Sequence, residues 1–327
     1  PFSNERFIIF KERLKRKLQN AKDKKPYEQA ISELQRSILH PSWDEAQRLV
    51  ALDSLGVDDL ELFRQEFFKT IDTAILSSGN ISRSSTLKIG EQLQKIILSG
   101  STTKKVERAK ITDLSGKKAW YKNLSVEHPD TGFVYYIQGN DKSFRERAMF
   151  LLLSQIISTN YYAQIRTDKQ LGYIVFATNF NLLEVPGLAF IVQSPNSDGT
   201  TLFKETELFL QEQAEKLVDL NQDEIEQYQQ AVISRLLKKD NTLYQRSNRN
   251  WQEIDTQNFD FNSKSQLADL VKTFTPTDVR TFFSTLIKQK GSSFLVYTSS
   301  ESKEDKISDT LAHLENKIEF SYFSNKE

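Results

Sequence analysis

The feature that most constrains the fold of this chain is an internal repeat of its apolar pattern. One helical face recurs 218 residues later, from Phe7, Phe10, Leu14 and Leu18 to Ile225, Tyr228, Val232 and Leu236. A second helix and an apolar strand recur at a spacing of 219, from Leu52, Leu55, Asp59, Phe63, Phe67, Ile75 and Leu76 to Val271, Phe274, Asp278, Phe282, Leu286, Phe294 and Leu295. A single helix could match by coincidence, but two helices and a strand in the same order favour a duplicated domain.

The repeat predicts one partial and one complete copy of that domain. Residues 1–98 match only the back half of the later copy. The segment 99–112 opens with small polar residues and has the composition of a flexible linker, so we place the domain boundary there. The complete copy then occupies residues 113–327. Because the chain begins without an initiator methionine, we interpret it as a piece of a longer protein.

Apolar periodicity and turn residues predict an α+β fold, in which helices pack on one face of a mostly antiparallel sheet. The predicted helices lie near 4–22, 26–39, 43–52, 57–69, 83–98, 141–159, 200–218, 222–239, 243–255, 263–273 and 276–288, with a shorter one ending near Leu171. The predicted strands lie near 72–78, 117–124, 132–138, 173–180, 187–194 and 293–298.

Composition excludes several classes of function. The chain has 44 Lys and Arg residues and 44 Asp and Glu residues, so no net charge favours nucleic acid or an anionic membrane. Its longest apolar run, Ala148 to Ile157, is far shorter than the roughly 20 residues that span a bilayer. Cysteine is absent, which excludes disulfides, thiolate nucleophiles and cysteine-zinc sites. We therefore expect a soluble protein that binds neither nucleic acid nor membrane.

The sequence contains no motif for a complete active site. The three histidines, His40, His128 and His313, lie far apart, and none has a partner at the spacing of helical metal ligands. We interpret each as a surface or turn residue. Nucleotide-binding glycine loops and the serine-nucleophile motif are also absent. We predict no metal site in this chain.

Two polar side chains flank a predicted turn between a helix and a strand. Arg166 and Tyr173 stand on either side of it, and Gly172 is predicted to be a left-handed helix cap before the strand. A guanidinium and a phenol can together hold peptide carbonyls or a developing oxyanion. Residue types alone favour a plainer alternative. In it, Arg166 pairs with a local carboxylate, and Tyr173 packs over the hairpin formed by the predicted strands 173–180 and 187–194.

The block from Arg166 to Tyr173, R-T-D-K-Q-L-G-Y, closely resembles a segment of the pitrilysin and insulin-degrading-enzyme (insulysin) family of zinc peptidases. The resemblance extends over nearly the whole chain, to the end of the third and all of the fourth family domain. Its other matching pieces are Ser77–Ile81, Gln155–Ser158 and Phe190–Ser194. Members of this family are built from four homologous α+β domains, two in each half, and the halves close around peptides. Their zinc lies on an H-x-x-E-H helix of the first domain, and this chain has no such motif.

The resemblance implies that this chain is the C-terminal, non-zinc-binding half of a zinc metalloendopeptidase that degrades peptides. Arg166 and Tyr173 match the family residues that contact the substrate backbone and help to stabilise the transition state. Tyr162 matches an aromatic position in the pocket for the residue after the scissile bond, with a buried core tyrosine as the alternative. The resemblance places zinc in the N-terminal half of the same polypeptide and none in this chain. Its partners are then that half and peptide substrates, and we expect the chain alone to be inactive.

Two other classes of function stay open. The chain could be a catalytically inactive scaffold or binding module of the same fold, although a scaffold has no need of the intact R-T-x-x-Q-L-G-Y block. A stand-alone helical interaction protein is disfavoured by the partial first repeat. The compartment is open as well, because pitrilysin-like relatives are periplasmic and insulysin-like relatives are largely cytoplasmic.

Overall fold

The structure is a computed structural model that describes residues 2–115, 119–288, 290–300, 307, 311–314 and 322–323. The α-helices in this part of the chain are α1 (Asn4–Gln19), α2 (Pro26–Ile38), α3 (Glu45–Ser54), α4 (Val57–Phe67), α5 (Arg83–Ile97), α6 (Phe144–Tyr162), α7 (Gly199–Lys216), α8 (Gln222–Leu236), α9 (Leu243–Asp255), α10 (Ser263–Thr273) and α11 (Pro276–Lys288). The strands are β1 (Leu39–His40), β2 (Lys110–Ile111), β3 (Ala119–Ser125), β4 (Thr131–Gln138), β5 (Ile174–Asn179), β6 (Gly187–Ser194), β7 (Ser293–Ser299) and β8 (Leu311–His313). None of the helices in these ranges is long and apolar enough to cross a membrane.

The chain forms two compact units. Unit 1 comprises Pro1–Ala21, Trp43–Ala109 and Lys239–Phe261, and unit 2 comprises Lys22–Ser42, Lys110–Lys238 and Asn262–Glu327. The helix α2 therefore belongs to unit 2, and α9, which begins 217 residues after α2, belongs to unit 1. These units do not follow the predicted domain order along the chain. The assignment of residues 1–98 and 113–327 to two homologous domains stays a prediction.

Unit 2 is built around a six-stranded sheet with the strand order β5-β6-β4-β7-β3-β8. The pairs β5–β6, β6–β4 and β4–β7 are antiparallel, whereas β7–β3 and β3–β8 are parallel. Helices α6, α7, α8, α10 and α11 cover one face with a continuous apolar core. The predicted α+β class with a mostly antiparallel sheet is confirmed.

A helix also covers the second face of the sheet, which the prediction of helices on one face did not include. Ala30, Leu34 and Ile38 of α2 form a buried cluster with Val134 and Tyr136 of β4 and with residues of β6 and β7. Every residue of β4 from Gly132 to Gln138 is buried, as expected for a strand that is covered on both faces. The contact is close: a Cβ on Gly132 would lie 2.3 Å from the carbonyl carbon of Pro26.

Three helices of unit 1 match three helices of unit 2 in spacing, but several of their apolar side chains are exposed. Helices α1, α3 and α4 begin 218, 218 and 219 residues before α8, α10 and α11, which supports the predicted repeat. The matching side chains differ in burial. Leu14 is 45% exposed and its counterpart Val232 is fully buried, while Phe67 is 48% exposed and its counterpart Leu286 is 4% exposed.

The prediction of a strand at 72–78 is wrong, because these residues form no ladder with another strand. Its counterpart β7 lies between β4 and β3, which supply both sets of backbone hydrogen bonds. In the described part of unit 1, the nearest pairing is an isolated parallel bridge between Thr70 and Thr102. The other predicted strands and the longer predicted helices are present, several of them with shifted ends, and residues 117–118 of one strand lie outside the described residues.

Candidate functional site

The segment that carries Arg166 continues α6 as a π-helix, Ala163–Asp168. The sequence predicted a shorter helix ending near Leu171, and the structure replaces it with this wider turn. The amide of Lys169 donates to the Gln164 carbonyl at 3.0 Å, and that of Leu171 donates to the Ile165 carbonyl at 2.9 Å. Short π-helical segments are rare and occur frequently at functional sites.

Side chains of the π-helix segment anchor it to α7 of the same unit. The Gln164 amide donates to Glu212 at 2.8 Å, and Lys169 forms an ion pair with Glu205. Beneath the segment, the buried Tyr161 shares a hydrogen bond of 3.0 Å with Thr206. These contacts fix the backbone on the buried side, so that the opposite side of the segment presents Tyr162 and Arg166.

The turn into β5 is shaped by Gln170 and Gly172, in a different way from the one predicted. The left-handed residue is Gln170, with φ of 52°, so the prediction of a left-handed cap at Gly172 is wrong. Gly172 is required for space instead. A Cβ there would lie 2.6 Å from Cγ1 of Val192 and 2.7 Å from the carbonyl oxygen of Gln193. That carbonyl accepts the amide of Tyr173 at 3.1 Å, which starts the pairing of β5 with β6.

Arg166 stacks on an aromatic ring rather than on a carboxylate. Its guanidinium carbon lies 5.5 Å from the centre of the Tyr162 ring, a cation-π contact. In the described part of the chain, no carboxylate lies within ion-pair distance of Arg166. Tyr162 is 44% exposed, whereas its neighbour Tyr161 is fully buried. Neither plainer alternative, a local ion pair for Arg166 or a buried core position for Tyr162, is present.

Tyr173 forms a hydrogen-bonded cluster with Asp130 and Gln193. Its hydroxyl donates to Oδ2 of Asp130 at 2.6 Å, and the Gln193 amide donates to the same carboxylate oxygen at 3.0 Å and to the phenol oxygen at 2.6 Å. The hydrogen bond to Asp130 raises the pKa of Tyr173. Partial burial opposes ionisation of Asp130, but the hydrogen bonds from Tyr173 and Gln193 lower its pKa overall. Tyr173 is 46% exposed, and its backbone and hydroxyl both contact Gln193 of β6.

Arg166 and Tyr173 line the same open cavity, with a volume of about 450 Å³. Its walls are formed by Arg166, Thr167, Gln170, Gly172, Tyr173, Pro195 and Asn196. The structure thus brings together the two residues predicted as a pair, and Tyr162 joins them through the Arg166 guanidinium. Asp130 was missed, because nothing in its local sequence indicates a contact with a tyrosine 43 residues later. Gln193 was noted only as part of the Phe190–Ser194 segment.

The three histidines occupy separate places. His40 shares a hydrogen bond of 3.2 Å with Thr112, His128 accepts the amide of Asp130 at 3.0 Å, and the His313 ring contacts Tyr121. Within the described residues, no group of three or more His, Cys, Asp or Glu side chains is placed to hold a metal ion.

Comparison with known proteins gives consistent matches. Residues 152–251 match the family described as PQQ synthase PqqF-like, C-terminal lobe domain 4. The chain is 26% identical to insulin-degrading enzyme of Homo sapiens over 288 residues, which cover 86% of this chain and 28% of that protein. The chain therefore spans little more than a quarter of that relative.

Solved structures show the same fold. The crystal structure of pitrilysin superposes with a TM-score of 0.82 at 22% identity, covering 97% of this chain and 34% of that one. A structure described as a peptidase M16 inactive domain, from Pseudomonas fluorescens, superposes with a TM-score of 0.64 at 13% identity, covering 93% of this chain and 73% of that one.

Proposed function

We propose that this chain, which belongs to the pitrilysin and insulin-degrading-enzyme family as a relative of its C-terminal part, is the non-zinc-binding half of a zinc metalloendopeptidase. In this proposal it closes the chamber in which peptides are degraded and contributes residues to the active site. Its partners are the N-terminal catalytic half of the same polypeptide and the peptide substrate. Residues 1–98 are then the back half of the third family domain, and residues 113–327 are the fourth.

The observation that carries the proposal is the position of Arg166 and Tyr173 on one open cavity. Arg166 has no competing carboxylate among the described residues, so its donors are available to a ligand. A guanidinium can donate several hydrogen bonds in a fixed fork, which suits a peptide carbonyl or the oxyanion that develops from it. Tyr173 supplies a second polar contact to the peptide backbone. Tyr162 orients the guanidinium and offers an aromatic wall to a substrate side chain.

The described residues offer no site for the metal of such an enzyme, because they contain no suitable group of metal ligands. We therefore assign zinc and the activation of water to the N-terminal half, and no step performed by the residues of this chain passes through a metal. The chain alone is expected to be inactive.

The roles of Arg166 and Tyr173 can be tested by the kinetics of the reassembled enzyme, in which this chain is mixed with the separately expressed N-terminal half. Loss of one positioned hydrogen-bond donor typically lowers the rate about 10²–10³-fold. We expect Arg166→Ala and Tyr173→Phe each to lower kcat/KM for a peptide by at least about tenfold. Exposed residues of α9 provide matched controls, Arg246→Ala and Tyr244→Phe, which should leave kcat/KM unchanged.

The same experiment separates the peptidase from its main alternative. An inactive scaffold of this fold would have no need of Arg166, and a relative of this fold is described as an inactive domain. If the Arg166 and Tyr173 variants cleave within about twofold of wild type, well below the expected loss of about tenfold, neither residue has the proposed role.

A further inference from the structure

Three neighbouring strand ends of unit 2 meet at the Tyr173 hydroxyl. Tyr173 precedes β5, Gln193 is the penultimate residue of β6, and Asp130 precedes β4. Because these three strands are adjacent in the sheet, the register of their backbone pairing sets the positions of all three side chains. The amide of Asp130 donates to His128 at 3.0 Å, which fixes the loop that presents the carboxylate.

The hydrogen bonds of the cluster determine where the single phenol proton lies. An ionised carboxylate can only accept, so the Asp130 oxygen receives the Tyr173 proton at 2.6 Å. For the same reason, the Gln193 amide must direct its nitrogen, not its oxygen, towards Asp130. Its other amide hydrogen reaches the phenol oxygen at 2.6 Å and occupies one lone pair. The phenol thus has no proton left for another partner and one lone pair that can still accept.

We propose that Asp130 is a positioning residue that, with Gln193, makes Tyr173 a hydrogen-bond acceptor for a backbone N–H of the bound peptide. This inference rests on the proposed function. The two residues on the cavity then have different roles. Arg166 donates to a carbonyl or oxyanion of the peptide, and Tyr173 accepts from a backbone N–H. An extended peptide presents N–H and C=O groups in alternation, so a donor and an acceptor on one wall match its backbone.

Because Gln193 is buried, the cluster of Tyr173, Asp130 and Gln193 is a fixed part of the fold rather than a chance surface contact. Its side chain is 1% exposed and its Oε1 atom has no hydrogen-bond partner among the described residues. A buried amide that leaves one polar atom unpaired costs stability, so its orientation towards Asp130 and Tyr173 must be held by those two contacts.

Titration of Tyr173 in the complete chain tests the positioning directly, without any activity assay. Tyrosine labelled at ¹³Cζ would be observed by NMR as the pH rises, with Tyr173→Phe used to assign the signal. We expect the wild-type signal to titrate above the ordinary tyrosine pKa, and Asp130→Ala to lower that midpoint. The control is Glu127→Gln, a nearby carboxylate that is 91% exposed and is expected to have no effect.

One outcome of the titration contradicts the inference. A Tyr173 midpoint that is the same in wild type, Asp130→Ala and Glu127→Gln would overturn it. If Asp130→Ala does not fold, Asp130→Asn removes the charge at nearly the same shape and should lower the midpoint in the same direction.

Steady-state kinetics of the reassembled enzyme test the acceptor role. An interaction made equally in the ground and transition states affects KM rather than kcat. Loss of a hydrogen bond between neutral groups, such as the one from a peptide N–H to the phenol oxygen, corresponds to about a two- to tenfold effect. We therefore expect Asp130→Ala to raise KM by up to about tenfold with kcat little changed. Asp130→Asn, whose Oδ1 still accepts the phenol proton, should retain most of the affinity. In the Tyr173→Phe background, Asp130→Ala should have no further effect.

The two experiments distinguish failure of the inference from failure of the proposed function. If Asp130→Ala lowers the Tyr173 midpoint but Tyr173→Phe leaves peptide cleavage unchanged, the proposed function is wrong and the positioning stands. If Tyr173→Phe impairs cleavage but Asp130→Ala changes neither the midpoint nor KM, the inference is wrong. A fall in kcat at constant KM in Asp130→Ala would also overturn the acceptor role.

Discussion

Replacement of Gly172 by alanine should destabilise unit 2 at the edge of the candidate site. The new Cβ would lie 2.6 Å from a methyl group of Val192 and 2.7 Å from the Gln193 carbonyl oxygen. Both distances are about 0.7 to 0.8 Å shorter than the 3.4 Å at which ordinary contact begins. The methyl group can move, but the carbonyl is held by its hydrogen bond from Tyr173, so β5 has to shift away from β6.

Overpacking of this kind costs about 1–3 kcal/mol. For a cooperative unit of roughly 150–250 residues, that cost lowers Tm by about 2–12 °C. Thermal unfolding followed by circular dichroism measures the shift. Gly90→Ala is the matched control, because its Cβ meets nothing within 4 Å on α5 and should stabilise that helix by about 0.5–1 kcal/mol. A Tm of Gly172→Ala equal to or above that of wild type would contradict the claim that a Cβ at this position clashes with Val192 and Gln193.

Two further predictions concern α2 and a buried acid. Gly132→Ala should destabilise unit 2 by about 3 kcal/mol or more, because the Cβ would lie 2.3 Å from backbone of Pro26; a urea midpoint equal to wild type would contradict this. Burial raises the pKa of Glu146 to about 7, above its ordinary value of 4.5, so the folded protein binds the extra proton and its free energy of unfolding falls as pH rises from 4.5 to 7. Glu146→Gln should therefore be more stable than wild type by about 1–3 kcal/mol at pH 8 and nearly equal to it at pH 4, as measured by urea unfolding at both values.

The sequence was sufficient to predict most helices and the central strands, because their apolar periodicity is strong. The run from Gly132 to Gln138 is apolar on both faces, and the structure buries both faces. The error at 72–78 has a physical cause, since an apolar segment becomes a strand only where a neighbour completes its hydrogen bonds. The packing of α2 on the second face could not be read from its own periodicity.

The candidate site was predictable only where a contiguous motif carries it. Arg166 and Tyr173 stand in one block of eight residues, so the sequence alone was enough to propose that they act as a pair. The contacts of Asp130 and Gln193 depend on the register of three strands, and residue types alone do not specify that register. The same holds for Gly172, whose role is set by the position of Val192 and Gln193 rather than by its own backbone angle.

The central claim is that this chain completes an active site that another half begins. It is tested most directly by cleavage of a quenched fluorogenic peptide with this chain, with the proposed zinc-binding half expressed separately, and with the two mixed. We expect cleavage only in the mixture, and a loss of at least about tenfold when the chain carries Arg166→Ala. No gain on mixing, with both halves shown to be folded and associated, would contradict the claim and favour the inactive scaffold.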